Sequence, residues 1–590
     1  MDSPDIDRLE ADVVVVGAGL AGMMAAIEAK RRKPECRVVL LDKGTAGSSG
    51  QSVFAAGVFN VFFPDRDDLQ EWMQEMILRG EFLNNQDWVL TYLQRNWEVA
   101  TRIAEIGSKH GKVVFERDAS GELVRRQSRG HIKSFHCVFD SLATMQALRM
   151  EADELGVEVL NRSMGLRLVV SEARGGVDGV IAMNVRTARL TFLHAPVVVL
   201  AAAGSGFKSV FVGHHNITGE MQSEALRAGC DLINMDKTYG NTTSRQHDVH
   251  GLNLFVGSGG TFTNGSGEEF MWRYDELGSR ARLQDLVIAF SREVNEGRGP
   301  IALDMRSVSS ADRALMRRVL PETFRTWDAA GVDPFAAPIP WISAYFGTRA
   351  AGGGIRVTTD CRTTVPGVLA AGDITDEPIH GTYCFGGVNV AFAAVSGLIA
   401  GVTAVEDSGS LPRGSVPDAQ LEPHVGAVLA PLGRESSVAP DDVVFALQEV
   451  LIREVGFVRD AHSVRQGLSR IEGIRGQAAR VHARDPHGLM LAHEAVGMVS
   501  LAEAMLASAL VREESRGFQF RTDFPYSDNE KWLRWVVCRR SPGGELATAT
   551  EPVGTPFFRP ATARHRPPGM RDDEAAAMGL ERARVERVTA

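Results

Sequence analysis

The sequence predicts an α/β fold: a parallel-sheet core interrupted by an inserted α+β domain and followed by a helical domain. Four valines, Val13–Val16, lead directly into a glycine-rich turn and a helix-like stretch at 23–32. A second run, at 196–200, is apolar on both faces, as buried parallel strands are. Between 236 and 345 the chain is richer in Gly, Asn, Thr, His and Arg and loses the strand–helix alternation, which resumes near 365. These observations predict a core built from two separate stretches of chain.

Hydrophobic periodicity predicts the elements in chain order. We expect helices over 86–109, 140–155, 284–297, 386–404, 442–455, 462–484 and 491–512. We expect strands over 157–160, 166–170, 179–186 and 196–202. The predicted domains are a first core segment (1–235), a capping domain (236–345), a second core segment (346–410), a helical domain (420–545) and a polar tail (546–590).

The composition is that of a large globular protein. Its 590 residues are 44% hydrophobic, which suits about three or four domains. The net charge of -10 and the pI near 5.9 provide no basic surface for nucleic acid or an anionic membrane. The six cysteines occur singly, without zinc or iron–sulfur spacing, and the N-terminus lacks a secretory apolar stretch. We therefore expect a cytoplasmic protein with no metal, no nucleic-acid partner and no membrane partner.

The glycine-rich turn has the pattern G-x-G-x-x-G at Gly17, Gly19 and Gly22. Glycines there allow a pyrophosphate to approach the backbone, and the N-terminus of the next helix offers free N–H groups. Asp42 ends the following strand, where a carboxylate accepts hydrogen bonds from a ribose. Its charge disfavours the 2′-phosphate of NADP. The turn therefore predicts a Rossmann-like core that binds FAD or NAD.

Two further strand ends favour FAD. Asp373 ends the string Ala-Ala-Gly-Asp, and flavin-binding two-domain folds use a second strand-end acid to hold the ribityl chain. Ala203 and Gly204 end another predicted strand and allow the backbone to approach a ligand closely. The predicted cofactor is FAD.

Ordered motifs along the chain carry a resemblance to a known family. They are G-A-G-L-A-G at 17–22, the segment 48–57, G-E-E-F-M at 267–271, E-G-R-G at 296–299, G-V-D-P at 331–334, G-G-G-I at 352–355, R-E-E-S-R-G at 512–517 and R-T-D-F-P at 521–525. Over about residues 10–540 the chain resembles the flavoprotein subunits of fumarate reductase, succinate dehydrogenase and L-aspartate oxidase and, more loosely, the adenylylsulfate reductase α subunit.

The resemblance implies an FAD-dependent oxidoreductase in which hydride moves between flavin N5 and a substrate held under a mobile cap. It also implies a set of cofactor-binding positions. These are Gly17, Gly19, Gly22, Asp42, Lys43, Ser49, Gln51, Ser52, Gly57, Ala203, Gly204, Asp373, Asn389 and Val390.

The chain departs from the family's pattern at several functional positions. The His-Thr pair that attaches FAD covalently reads Gln51-Ser52, so we expect noncovalent FAD. The proton-delivering Arg of the cap falls on Leu283, and a one-residue gap would restore Arg282 to that role. The carboxylate-clamping His and Arg read Arg349 and Cys384. Fumarate, succinate and aspartate are therefore disfavoured as substrates.

The predicted catalytic residues are His380, Arg349, Arg282 and Tyr383. Arg349 is a candidate anion ligand or a salt-bridge partner, and His380 is a candidate acid–base group or a structural hydrogen-bonding residue. Tyr383 offers a phenolic donor or packs, and Cys384 is interpreted as a small packing residue. His247 and His250 have no recognisable third ligand and do not predict a metal site.

Three functions remain open at the level of sequence. The first is hydride transfer with a small anionic substrate, forming or reducing a C–C double bond. The second is a flavin oxidase or dehydrogenase for a C–N, N–N or sulfur-containing substrate, and the third is a non-catalytic flavin-bound assembly subunit. Without an iron–sulfur relay of its own, the enzyme would exchange electrons with oxygen or a separate electron-transfer protein.

Overall fold

The computed structural model describes residues 6–55, 57–127, 129–171, 175–209, 213–237, 239–247, 249–344, 353–541 and 543–588. Its helices, α1 to α16 in chain order, are Leu20–Arg32, Leu69–Arg79, Gln86–Lys109, Ser141–Glu154, Glu220–Arg227, Leu252–Gly257, Leu283–Asn295, Ser310–Val319, Pro321–Ala329, Val388–Ser410, Asp418–Leu429, Pro440–Val450, Ala461–Ala478, Pro486–Val511, Asn529–Trp532 and Asp572–Ala577.

Its strands, β1 to β26 in chain order, are Ile6–Glu10, Val13–Val16, Val38–Asp42, Val58–Asn60, Arg125–Arg126, His136–Val138, Glu158–Asn161, Ser163–Val170, Val177–Asn184, Leu190–His194, Val197–Leu200, Leu232–Ile233, Asn241–Ser244, Thr261–Thr263, Ile301–Asp304, Ile339–Ala344, Gly354–Ile355, Val368–Ala370, Val458–Arg459, Phe520–Arg521, Ser527–Asp528, Arg534–Arg540, Leu546–Pro552, Phe558–Pro560, Arg564–His565 and Val585–Arg587.

A five-stranded parallel sheet in the order β18–β11–β2–β3–β7 forms the centre of the core. Strand β2 pairs in register with β11 on one side and with β3 on the other. Strand β18, from the far side of the inserted segment, pairs with β11 and so completes the same sheet. Helices α1 and α10 pack against each other beside it. The predicted discontinuous α/β core is confirmed, since both faces of these apolar strands are buried.

The inserted segment has a hydrophobic core of its own. Its antiparallel sheet, in the order β13–β16–β15–β14, packs with helices that include α7 and α9. Buried aromatic side chains such as Phe262, Phe290, Trp327 and Trp341 form this cluster. Helices α12, α13 and α14 pack together after the second core segment. The inserted α+β domain and the helical domain are therefore present, and their proposed boundaries stay predictions.

Two helix ends in the helical domain differ from the predicted ones. Helix α13 ends at Ala478 rather than 484, because His482 and Ala483 donate their backbone N–H groups to Val438 and Pro431 instead of to the helix. Helix α14 begins at Pro486 rather than 491. The Asp485 carboxylate accepts the Gly488 N–H at 2.7 Å there, and proline suits a first helical turn.

The segment predicted as a polar tail forms strands and helix α16, and it packs on α7 of the cap. Glu574 accepts hydrogen bonds from Arg292, and Arg571 donates to Glu296 at 2.7 Å. The Gly569 N–H donates to Asp285 at 3.0 Å. Charged residues after 546 thus pair with the cap. The segment looked like a polar tail in the sequence because its charged side chains serve these contacts.

Helices α10 and α14 are each long and apolar enough to cross a membrane by length and composition. Most of each helix is buried within the fold, and a core helix of a soluble protein passes the same test. This finding is weak support for a membrane span, and the predicted cytoplasmic location stays a prediction.

Glu293 is a buried carboxylate inside the cap, and we expect it to stabilise the protein against acid. Burial opposes its ionisation, but hydrogen bonds from Arg298, Tyr274 and Asn264 outweigh that effect and lower the pKa of Glu293 to about 2. A depressed carboxyl pKa stabilises the fold at higher pH, and the stabilisation is lost as the pH falls from about 4.5 towards 2. E293Q should therefore lower the free energy of unfolding at neutral pH by about 1–3 kcal/mol. The loss is not larger because the arginine partners of Glu293 are partly exposed, and solvent screens their charge.

Thermal unfolding of the holoenzyme at pH 7 and near pH 3 tests this expectation. The difference in melting temperature between the native protein and E293Q should be smaller at the lower pH. The matched control is E268Q, because Glu268 pairs with the same Arg273 at the surface and should change stability by less than about 1 kcal/mol. Equal losses for both variants, or a deficit independent of pH, would contradict the assignment.

Candidate active site

A cavity of about 910 Å³ lies at the carboxyl ends of the parallel strands and extends to the inserted segment. Its glycine end is lined by Gly17, Gly19, Asp42, Lys43 and Ser49. Its cap end is lined by Arg129, Tyr239, His250, Asn253, Leu283 and Tyr383. The volume is at the upper end of the range for small-molecule and cofactor sites. The carboxyl edge of an open parallel sheet is where such ligands bind.

The glycine end has the geometry of a dinucleotide cradle. Gly17 has a φ of +105°, and a Cβ there would meet the Ala201 carbonyl oxygen at 2.5 Å. A Cβ on Gly22 would meet the Gly17 carbonyl oxygen at 1.8 Å, so helix α1 approaches the turn closely only because this residue is glycine. The N-terminus of α1 thereby points its free N–H groups into the cavity. These residues fit the pyrophosphate of FAD.

Asp42 is held in place at the end of β3. Its carboxylate accepts hydrogen bonds from the Gly44 N–H at 2.7 Å, the Ser49 hydroxyl at 2.9 Å and the Ala18 N–H at 3.2 Å. Lys43 does not face a phosphate position, because its ammonium group pairs with Glu494 at 2.7 Å and Glu220 at 3.0 Å. The carboxylate is therefore fixed toward the cavity, where it can accept from a ribose hydroxyl.

The second core segment contributes the opposite wall. Asp373 follows β18, and Asn389 and Val390 lie in the first turn of α10, with all three lining the cavity. Gly387 has a φ of +86° and begins that helix. The positive end of the α10 dipole therefore faces the cavity, and it would stabilise negative charge on a bound reduced flavin.

Most predicted cofactor residues line this cavity, and three do not. The lining set is Gly17, Gly19, Asp42, Lys43, Ser49, Gln51, Ser52, Ala203, Asp373, Asn389 and Val390. Gly22 is packed against the turn. Gly57 forms a turn whose Cβ position contacts Leu254, and Gly204 is buried beside Ala203. A motif alone does not distinguish glycines that shape the backbone from residues that line the cavity.

Gln51 lines the cavity at the position where relatives with covalent FAD carry a histidine. Its Oε1 atom is buried and has no hydrogen-bond partner among the described residues, so it is available to a ligand. A carboxamide does not form the covalent bond to flavin. We therefore expect acid precipitation of the holoenzyme to release all of its flavin into the supernatant, measured by fluorescence. A yellow pellet after washing in denaturant would contradict this expectation.

Arg129 is the main candidate site residue that the sequence did not indicate. Its guanidinium group is buried, at 4% exposure, and lines the cap end. Nε donates to Asn253 at 3.0 Å and Nη2 to the Tyr383 oxygen at 3.5 Å. Within the described part of the chain, Nη1 has no partner and no carboxylate pairs with this group. Burial lowers the pKa of Arg129 because its charged form loses hydration.

The loop that carries Arg129 is fixed by hydrogen bonds to two other parts of the chain. The buried carboxylate of Glu75, on α2, accepts the backbone N–H groups of Lys133 at 3.0 Å and Ser134 at 2.7 Å. The His131 ring bridges the Ser134 hydroxyl and the Gly386 carbonyl, each at 3.0 Å. The direction of the Arg129 guanidinium is therefore set by its loop, without a neutralising partner.

Tyr383 and His380 form one stacked pair, but only Tyr383 lines the cavity. Their ring centroids are 4.7 Å apart and the planes differ by 5°. His380 is completely buried behind the tyrosine, and its Nδ1 accepts the Cys384 N–H at 3.2 Å. This arrangement favours the structural interpretation of His380 over the acid–base one, because the tyrosine ring separates the imidazole from the cavity.

Arg282 also lies away from the cavity. It donates to Asp285 at 2.8 Å and to Glu81 at 3.2 Å, and these two carboxylates hold it between the cap and the core. Leu283, the next residue, lines the cavity instead. The expectation that a one-residue gap would bring Arg282 to the flavin is therefore wrong. Arg282 forms ion pairs with these two carboxylates away from the cavity, and a motif comparison does not show such contacts.

Arg349 lies outside the described residues, so its predicted catalytic role stays a prediction. The described candidates that remain contribute no further catalytic group. Burial raises the pKa of the Cys384 thiol, which keeps it protonated and agrees with a packing role. His250 lines the cavity with its Nδ1 on the Phe54 carbonyl at 2.6 Å, and burial lowers its pKa to about 4.

One group of potential metal ligands occurs among the described residues, at His110, Glu151 and Glu154. Glu151 already pairs with Arg31 and Lys109, each at 2.8 Å. The group therefore has its own cations, and the prediction that the protein uses no metal stays a prediction.

Two family matches cover most of the chain. Residues 12–390 match the FAD binding domain, and residues 445–567 match the fumarate reductase flavoprotein C-terminal domain. A fumarate reductase (CoM/CoB) chain from Methanothermobacter marburgensis is 27% identical, over 90% of this chain and 97% of its own. An L-aspartate oxidase from Streptomyces coelicolor is 27% identical, over 95% of this chain and 97% of its own. A quinol fumarate reductase structure from E. coli has a TM-score of 0.82 at 21% identity. The match covers 93% of this chain and 97% of that chain, which shows a shared fold.

Proposed function

Because this chain belongs to the FAD binding domain family and carries a fumarate reductase flavoprotein C-terminal domain, we propose that it transfers hydride between FAD and a small substrate with one anionic group. The chain is an FAD-dependent oxidoreductase of the succinate dehydrogenase and fumarate reductase family. The finer proposal is that it forms or reduces a C–C double bond next to a carboxylate, and that the FAD is noncovalent.

The observation that carries this proposal is the uncompensated guanidinium group of Arg129 at the cap end. A buried cation without a partner is costly, and a substrate anion would supply the missing charge and hydrogen bonds. Arg129 would bind and orient the carboxylate. Leu283 and the aromatic rings of Tyr239 and Tyr383 would exclude water from the reacting carbons.

The same end offers little to a dicarboxylate. Arg129 is the single cation among the described residues that define it, and Leu283 stands where relatives carry a second one. A second carboxylate would be buried without a counter-charge, which is unfavourable. We therefore propose that fumarate and succinate are poor substrates.

An anaerobic panel tests this function. The dithionite-reduced holoenzyme is mixed with crotonate, cinnamate and fumarate, and recovery of the oxidised flavin absorbance is followed. We expect the monocarboxylates to reoxidise the flavin faster than fumarate does. Preference for fumarate would contradict the single-anion proposal. Peroxide formed in air with amino acids or sulfur-containing acids would favour the oxidase alternative, and no response to any compound would favour a non-catalytic role in an assembly.

Electrons must also enter or leave the enzyme. All six cysteines are buried and form no disulfide, and no cluster of potential metal ligands among the described residues contains a cysteine. We propose that the electron donor or acceptor is oxygen or a separate electron-transfer protein.

A further inference from the structure

Among the described residues, the cap end lacks the proton donor that the family pattern leads one to expect. Leu283 occupies the cavity, and Arg282 is engaged by Glu81 and Asp285 outside it. Reduction of a C–C double bond needs a proton at one carbon as well as hydride at the other. Another group at this end must therefore exchange that proton with the substrate.

Tyr383 is placed for this task. Its phenolic oxygen accepts a hydrogen bond from Nη2 of Arg129 at 3.5 Å. A guanidinium group only donates, so the phenolic proton has to point elsewhere, and none of the described residues accepts it. The ring lines the cavity, so its proton is left for a bound substrate.

The ring of Tyr383 is held on three sides. It stacks on His380, and Tyr239 and Phe518 meet it edge-on with centroids at 5.3 and 6.1 Å. Its backbone has a φ of +130°, which is strained for a residue with a bulky side chain. Strain of this kind persists where the surrounding structure imposes it and is concentrated at functional sites.

We propose that Tyr383 is the catalytic acid–base residue of this enzyme and that Arg129 stabilises its phenolate. This inference rests on the proposed function. When bound, FAD supplies or accepts the hydride, which is two electrons with one hydrogen. In reduction, hydride addition at the β-carbon moves the π electrons to the α-carbon, which takes the Tyr383 proton. The phenolate remains beside Arg129 until water reprotonates it, and desaturation runs the same steps in reverse.

The other ionisable groups at this end are less suited. His250 is neutral at pH 7, since burial lowers its pKa to about 4, and its Nδ1 faces a backbone carbonyl. Arg129 has to remain charged to hold the substrate anion. Tyr239 also lines the cavity and meets the Tyr383 ring edge-on, but no described hydrogen bond joins it to Arg129, which would stabilise a phenolate.

The test is Y383F, which removes only the hydroxyl group. Reduction of crotonate in single turnover should fall about 10²- to 10⁴-fold, the usual contribution of a positioned acid. Binding of crotonate to the oxidised holoenzyme, a complex that cannot react, should stay within about threefold, because Arg129 is retained. That binding is measured by perturbation of the flavin absorbance. R129M should lose binding as well as rate, because Arg129 both holds the substrate anion and stabilises the Tyr383 phenolate.

A stereochemical readout separates proton transfer from a structural role. In deuterated water the native enzyme should place deuterium at the α-carbon on one face only, and residual product from Y383F should carry it on both faces. The matched control is Y274F, because Tyr274 is a buried phenol that donates to Glu293 at 2.8 Å outside the cavity. Y274F should reduce crotonate at the native rate and with the native labelling.

The outcomes distinguish the two proposals. If native enzyme reduces no alkenoate, the proposed function fails and the role of Tyr383 fails with it. If native enzyme is active and Y383F matches its rate and single-faced labelling, only the role of Tyr383 is overturned. Loss of crotonate binding in Y383F would also overturn it, because the tyrosine would then serve binding or folding.

Discussion

Replacing Arg129 by methionine is expected to weaken crotonate binding to the oxidised holoenzyme by about 30- to 4,000-fold. Truncating one partner of a buried charge pair costs about 2–5 kcal/mol, and each 1.4 kcal/mol is a factor of ten. The loss should exceed that of any surface arginine, because Arg129 is 4% exposed and water cannot replace it. Titration of the flavin absorbance measures it.

The same substitution should stabilise the protein without substrate. Arg129 is buried with no carboxylate partner among the described residues, so an apolar side chain in its place removes the cost of burying an uncompensated charge. We therefore expect R129M to melt at a higher temperature than the native holoenzyme. A gain in stability combined with a loss of binding is the signature of a residue retained for function.

R126M is the matched control for Arg129. Arg126 lies three residues earlier, pairs with Asp312 at 2.6 Å and does not line the cavity. It should leave crotonate binding unchanged. If R129M binds crotonate normally, or if R126M loses binding equally, Arg129 is not the anion ligand.

Replacing Gly22 by alanine is expected to weaken FAD binding by about 10- to 100-fold. The added Cβ would lie 1.8 Å from the Gly17 carbonyl oxygen, and neither atom can rotate away because the backbone fixes both positions. Relief requires helix α1 to move away from the turn, which costs about 1–3 kcal/mol and displaces the N–H groups at the helix N-terminus. The flavin-to-protein ratio after purification and the FAD dissociation constant measure the effect.

The control for Gly22 is G409A in the last turn of α10. A Cβ there meets no atom within 4 Å, so the change should be neutral or slightly stabilising and should leave the FAD content unchanged. Native FAD affinity in G22A would show that the close approach of α1 to the turn is dispensable for the cofactor.

The core and the cofactor were predictable from sequence because they depend on local patterns. The four-valine strand β2, the glycine turn and Asp42 lie close together in the chain, and their order alone defines a strand–turn–helix–strand unit. Helix α3 was also predicted with its observed bounds, 86–109, since its apolar face has regular helical spacing. Such features need no knowledge of distant contacts.

The cap end of the site was only partly predictable. Tyr383 was named from its place in a loop after Asp373, but Arg129 carried no signal, because a lone arginine in a polar loop resembles any surface residue. Its burial depends on Glu75, which binds the loop backbone, and on Gly386, which binds the loop residue His131. Both partners lie elsewhere in the chain. A buried cation becomes recognisable only when its neighbours are known.

The sequence by itself determined the fold class, the division of the core by an insertion and the flavin cofactor. The tertiary structure decided which charged groups face the cavity. Arg282 and Arg129 are both arginines near the cap end, yet two carboxylates draw Arg282 outward and leave Leu283 in the cavity. Backbone pattern is encoded locally, whereas the direction of a charged side chain is set by electrostatics between residues far apart in the chain.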